Sequence, residues 1–218
     1  MRTTEKFIVL DVETANDTVD ALTYDIGFIV ADRKGNIYER YSFCVYDIYC
    51  CEKDLMQSAY YAKKLPLYEE GLKNGEYKLA KFSTVKSLIW KLMKEYNISK
   101  VFAYNCNFDR NALTKTQRWL TKSKYRYFFP KEIEICDTLK MARDVIAKMP
   151  TYKRFCEENG YIGKNHQVSL KAEVLYRFIS KDFDFVESHT GLEDVEIELE
   201  IYKYCIKQHK PMRKKLYE

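Results

Sequence analysis

The stretch Phe7-Ile8-Val9-Leu10-Asp11-Val12-Glu13-Thr14 constrains this chain more than any other. Four consecutive apolar residues, two of them β-branched, fit a short strand buried on both faces, in the middle of a sheet with helices above and below. Two acids follow. Residues two apart in an extended chain point the same way, so Asp11 and Glu13 aim both carboxylates at one spot where the strand leaves the sheet. Anions held that close repel unless cations sit between them. A hard divalent cation is the simplest remedy, because it takes oxygen ligands from carboxylates and water, and Mg²⁺ adds phosphate oxygens. The pair therefore points to a metal-dependent site on a phosphorylated substrate, with solvated surface as the alternative for Asp-x-Glu taken alone.

With 218 residues and 46% hydrophobic content, the chain can bury a full core as a single domain over residues 1–218. Its 37 basic and 32 acidic residues leave a net charge of +5, which suits a polyanionic partner but also serves solubility alone. The 19 Tyr and 12 Phe fill the core for the most part, and some can stack on bases. Seven Cys behind a polar start at residues 1–6 predict reduced thiols in a cytoplasmic protein without a signal segment. No apolar run approaches the roughly 20 residues of a membrane helix. Cys50 and Cys51 are adjacent, and Cys205 with His209 is a lone pair lacking two further ligands, which argues against structural zinc.

Taken in order, residues 24–31 read as a second strand, 32–36 as a hairpin turn, and Ile37, Tyr41, Phe43 and Val45 as a third strand, an antiparallel meander. Residues 47–81 read as a helical excursion from the sheet, with Leu55, Tyr60, Tyr61 and Leu65 in short helices broken by Pro66 and Gly75. Ser83 starts a core-facing helix through Val85, Leu88, Ile89, Leu92, Met93 and Tyr96. Residues 101–104 form a fourth strand and begin a βαβ pattern. Asn105-Cys106-Asn107-Phe108-Asp109-Arg110 then runs into a helix with Asn107 as its N-cap and Asp109 in its first turn, where a helix-dipole acid is the bland reading. A fifth strand over 134–138 ends in Asp137, read as a cap, and a helix follows up to Met149-Pro150. Two further helical patterns occupy 151–180, the second starting at Ser169, and His166 reads as a surface histidine.

The last helix carries Leu192, Val195, Leu199, Tyr202 and Ile206 at three-four spacing, with Thr190 as N-cap and Glu193 completing a capping box. His189 precedes the cap, and Asp194 lies one step off the apolar seam, projecting toward the sheet edge. Glu196, Glu198 and Glu200 scatter around the helix and read as solvated, and basic residues 207–215 read as a solvated tail.

In their order and spacing, Asp11-Val12-Glu13-Thr14, Asn105-Cys106-Asn107-Phe108-Asp109 and His189-Thr190-Gly191-Leu192-Glu193-Asp194 resemble the motifs of the DEDDh exonucleases, over roughly residues 6–206. The resemblance implies a ribonuclease H-like α/β fold, a mixed five-stranded sheet whose second strand is antiparallel, flanked by helices. It implies a 3′–5′ exonuclease that releases nucleoside 5′-monophosphates from the 3′ end of single-stranded DNA or RNA. Asp11 would bridge two Mg²⁺ or Mn²⁺ ions, Glu13 and Asp194 would complete one, Asp109 would hold the other, and His189 would be the general base. Thr14, Asn105 and Phe108 would contact substrate; a polymerase or a second copy of the chain would be a further partner. Two departures lie where substrate choice is set: the long excursion, and Tyr104 where relatives often have His. The alternatives are a catalytically silent binding module on the same fold, an endonuclease, and a small- or cyclic-nucleotide phosphodiesterase.

Overall fold

Alternate residues of β1 (Lys6–Ala15) feed two separate cores, as the two-residue period of a strand requires. Ile8, Leu10 and Val12 belong to one apolar cluster and Phe7 and Val9 to the other, so the strand is covered on both faces. The computed structural model describes residues 4–16, 19–59, 62–122 and 126–217. Within them β2 (Leu22–Asp32) pairs antiparallel with β1, β3 (Ile37–Val45) antiparallel with β2, and β4 (Lys78–Ala80) parallel with β3. On the other side β5 (Lys100–Ala103) joins β1 and β6 (Glu134–Asp137) joins β5, both in parallel. The order is β4-β3-β2-β1-β5-β6, with β2 alone running against the rest.

The expected sheet had five strands and the described one has six. The sixth, β4, comes from the end of the segment read as helical throughout. Three residues are too few to show a period, and Leu79 is exposed at the sheet's edge. The rest of the excursion is helical as expected, in α1 (Tyr46–Tyr49), α2 (Lys53–Gln57), a 3-10 turn (Ala62–Lys64) and α3 (Leu65–Asn74). Pro66 sits in the first turn of α3 instead of breaking it, while Gly75, at a φ of 83°, ends it. Tyr60 and Tyr61 lie outside the described residues.

Helices α4 (Phe82–Glu95) and α5 (Asn107–Leu120) complete the first core with Val85, Ile89, Leu92, Ala112 and Leu113. Helices α6 (Thr138–Val145), α7 (Pro150–Glu158), α8 (Ala172–Ser180) and α9 (Gly191–Lys207) build the second. The second pattern in 151–180 thus starts at Ala172, three residues after Ser169. Helix α4 begins one residue before Ser83 and is capped from a distance: the Phe82 N–H donates to Asp47 Oδ2 at 2.7 Å. Replacing Asp47 by alanine is expected to cost about 1 kcal/mol, measured by urea unfolding, since it orphans a donor of the first turn. Asp137 caps α6 as expected, accepting from Leu139 N–H and Lys140 N–H. Asn107 is the first residue of α5, and Cys106 stands at the cap without a side-chain bond.

The basic tail is largely exposed, as expected, but it is not free of the fold. Its end docks on β6, with Asp137 N–H donating to Lys214 O at 2.7 Å and Leu216 N–H to Ile135 O at 2.9 Å. Arg213 grips Asp144 with two guanidinium nitrogens, at 2.9 and 3.0 Å, and holds its carboxyl well below the usual range. Among the described residues no helix is long and apolar enough to cross a membrane. All seven cysteines are free thiols.

Candidate active site

Asp11 and Glu13 fall on the face of β1 that carries Phe7 and Val9, the face covered by α9. Opposite Asp11 in register is Gly27 of β2. A Cβ on Gly27 would stand 2.1 Å from the Gly191 carbonyl carbon, and one on Gly191 would stand 2.7 Å from Gly27 N. Two facing glycines therefore let the first turn of α9 press onto the sheet beside Asp11. Asp25, opposite Glu13, fastens it there: its Oδ2 accepts the Gly191 N–H at 3.0 Å and the Tyr68 hydroxyl at 2.7 Å. The expected capping box does not form. Thr190 makes no side-chain cap bond, its hydroxyl lying 3.1 Å from that of Ser188, and Glu193 accepts the Ser188 N–H instead. A carboxylate from the neighbouring strand has taken over the cap, which no local pattern announces.

This docking brings together acids far apart in the chain. The donor atoms of Asp11, Glu13 and Asp194 lie within 4.8 Å of one another, and those of Glu187, His189 and Asp194 do the same. Asp109, buried in the first turn of α5, is tied to β1 by Val12 N–H, which donates to its Oδ1 at 3.2 Å. Its other oxygen has no partner among the described residues, and neither do Asp11 Oδ2, Asp194 Oδ1 and Glu198 Oε2, all of them buried.

The electrostatics follow from crowding like charges where water is excluded. Burial, followed by Asp109, Asp194, Glu198 and Glu13, holds the Asp11 carboxyl well above the usual range. Burial and then Asp25 push Glu13 up to about 8, with Lys64 of the excursion pulling the other way. Burial raises Asp109 to about 8 against the backbone N–H groups it accepts from. Asp194 is raised to about 10 by burial and then by Glu187. His189 is shifted down, by burial first and Lys64 second.

His189 occupies the left-handed region at a φ of 53°, with Nδ1 3.4 Å from Glu187 Oε2 and its side chain 34% exposed. Asn105, at a φ of 58°, and Phe108 line a cleft of about 270 Å³ with Asn107, Asn111 and Lys115. Thr14 follows Glu13 across the irregularity in the β1–β2 register and does not line that cleft. Two aromatic side chains near the acids are held within the fold, away from any base. Tyr24 is buried edge-on against Tyr68, and the Tyr104 hydroxyl donates to the Leu170 carbonyl. Glu198 corrects the sequence reading: it is 2% exposed and faces the site, whereas Glu196 pairs with Arg40 and Glu200 with Lys203 at the surface. Its spacing of four from Asp194 was the available signal.

The architecture is the ribonuclease H-like one, with an acidic cluster where β1, α5 and α9 converge. Solved structures with this fold include E. coli exonuclease I in a zinc-bound complex with single-stranded DNA, at a TM-score of 0.58 and 14% identity over 95% of this chain. A 3′-exonuclease that recognises the histone mRNA stem-loop aligns at a TM-score of 0.57 and 10% identity over 98% of this chain and 86% of its own. Cell-death related nuclease 4 aligns at 0.51 and 10% identity, over 96% of this chain and 66% of its own. The chain spans 41% of the length of exonuclease I. Searched by sequence, it matches no protein-family model and no curated protein.

Proposed function

We propose that this chain is a metal-dependent 3′–5′ exonuclease that hydrolyses the terminal phosphodiester of single-stranded nucleic acid to release nucleoside 5′-monophosphates. The observation that carries the reading is the set of buried, unpartnered oxygens on Asp11, Asp109 and Asp194, with Glu13 inside the same 4.8 Å grouping as Asp11 and Asp194. Hard oxygen donors without protein partners suit Mg²⁺ or Mn²⁺. Asp11, Glu13 and Asp194 would hold one ion, and Asp109 with Asp11 a second. Such a pair, when bound, supplies charge stabilisation to the attacking and leaving oxygens at phosphorus.

The chain's own side chains do the rest. His189, neutral at pH 7 because its pKa is lowered, takes the proton of the attacking water. Burial of the carboxylates keeps bulk water from competing for them. Asn105 and Phe108 receive the terminal nucleotide in the cleft at the mouth of α5, Thr14, outside that cleft, contacts the strand from the end of β1, and Lys64 faces its phosphates from the excursion. The folds named above add support, since those proteins are nucleases, one in complex with single-stranded DNA and one recognising an mRNA stem-loop.

The test is a 5′-labelled single strand, DNA and RNA in parallel, incubated with Mn²⁺. A ladder that shortens from the 3′ end is expected. Internal cuts only would make the protein an endonuclease. An intact strand alongside hydrolysed cyclic or dinucleotide substrate would make it a small-nucleotide phosphodiesterase, and retention of the strand without cleavage would leave a binding module.

A further inference from the structure

Glu198 stands one helical turn beyond Asp194 on the same side of α9 and is 2% exposed. Its Oε1 accepts the Tyr104 N–H at 2.8 Å, which fixes the carboxylate at the end of β5, and its Oε2 has no partner. It forms no salt bridge among the described residues. The charges acting on it most are those of Asp109, Asp194 and Asp137, and it acts in turn on Asp11. A helix position packed against a sheet is ordinarily apolar, and an unpaired buried carboxylate there costs several kcal/mol. Accepting one backbone N–H does not offset that cost, because a neutral glutamine would accept the same bond.

We infer that Glu198 is an additional acidic donor of the cation site that Asp11, Asp109 and Asp194 would form. The inference rests on the metal reading proposed above. It adds a residue outside the three motifs and predicts that this chain holds its cations more firmly than Asp11, Glu13, Asp109 and Asp194 alone would allow.

The test is calorimetric titration of the full chain with Mn²⁺, wild type against Glu198→Gln, with the unfolding midpoint of each in EDTA. The glutamine keeps the Tyr104 bond and the volume and removes the charge. One of the two binding steps is expected to weaken by about tenfold or more, while the EDTA midpoint rises because repulsion is relieved. Glu198→Asp, which keeps the charge but withdraws it by one methylene, is expected to fall between the two. Wild-type isotherms for both variants overturn the inference and leave Glu198 as an acceptor for Tyr104. Asp11→Asn run alongside separates the two readings: if it abolishes binding while the Glu198 variants change nothing, the metal reading stands without Glu198. If it too changes nothing, both fall.

Discussion

Asp11→Asn is expected to lower the proposed 3′-end degradation by at least about two orders of magnitude while the protein folds. Asp11 is the acid at the centre of the cluster, acted on by Asp109, Asp194, Glu198 and Glu13 together, and its Oδ2 has no protein partner. Asparagine has the same shape and removes the charge. In the metal-free protein the substitution relieves repulsion, so the unfolding midpoint in EDTA should hold or rise. In Mn²⁺ the midpoint should no longer increase, because stabilisation by a ligand follows its affinity for the folded state. Loss of activity with unchanged folding and lost Mn²⁺ stabilisation is the signature. Undiminished cleavage by the purified variant would remove Asp11 from the mechanism.

The second large effect concerns stability against pH. With divalent ions removed, the protein is expected to become less stable as pH rises from about 5 to about 9. Glu13 and Asp109 are raised to about 8 and Asp194 to about 10, whereas the unfolded chain releases these protons near pH 4. Between those limits the folded state binds more protons than the unfolded one, and stability falls as they leave, at about 1.4 kcal/mol per pH unit for each extra proton held. The contribution is fully present below the unfolded values and lost through the folded ones. Because the acids share protons, the sum is a property of the cluster, on the order of several kcal/mol. His189, shifted down, works the opposite way and only below its ordinary value of about 6.5. Saturating Mn²⁺ should flatten the profile, since cations then offset the charge that protons offset in EDTA. Urea midpoints at pH 5 and pH 9, with and without Mn²⁺, measure this. An EDTA midpoint that climbs across the range would show that the acids are compensated in some other way.

What could be read from the sequence was what repeats along one element. The two-residue period of β1 told which face Asp11 and Glu13 share, and the three-four spacing of α9 placed Asp194 beside the apolar seam. Contacts between elements left no such trace. Glu198 alone of Glu196, Glu198 and Glu200 turns inward, because it lies four residues after Asp194 on the same face of α9, while the Gly27–Gly191 approach that presses this face onto the sheet has no local signal. Asp25 reads as one polar residue in a strand, and its service as cap for α9 needs a partner 166 residues away. β4 is too short to show alternation, and the terminal segment contains no apolar pattern, since it is held by backbone bonds and by Arg213.

That terminal segment settles how the sheet meets foreign chains. A parallel outer strand presents a row of open amide and carbonyl groups on which another polypeptide can grow. Along β6 the residues around Lys215 have taken up that row. At the opposite rim β4 is three residues long and carries Lys78, exposed to water. The β6 margin is thereby closed to an added strand, whereas at the other rim β4 covers β3 only over Phe43–Val45 and leaves the start of β3 as the sheet's open edge.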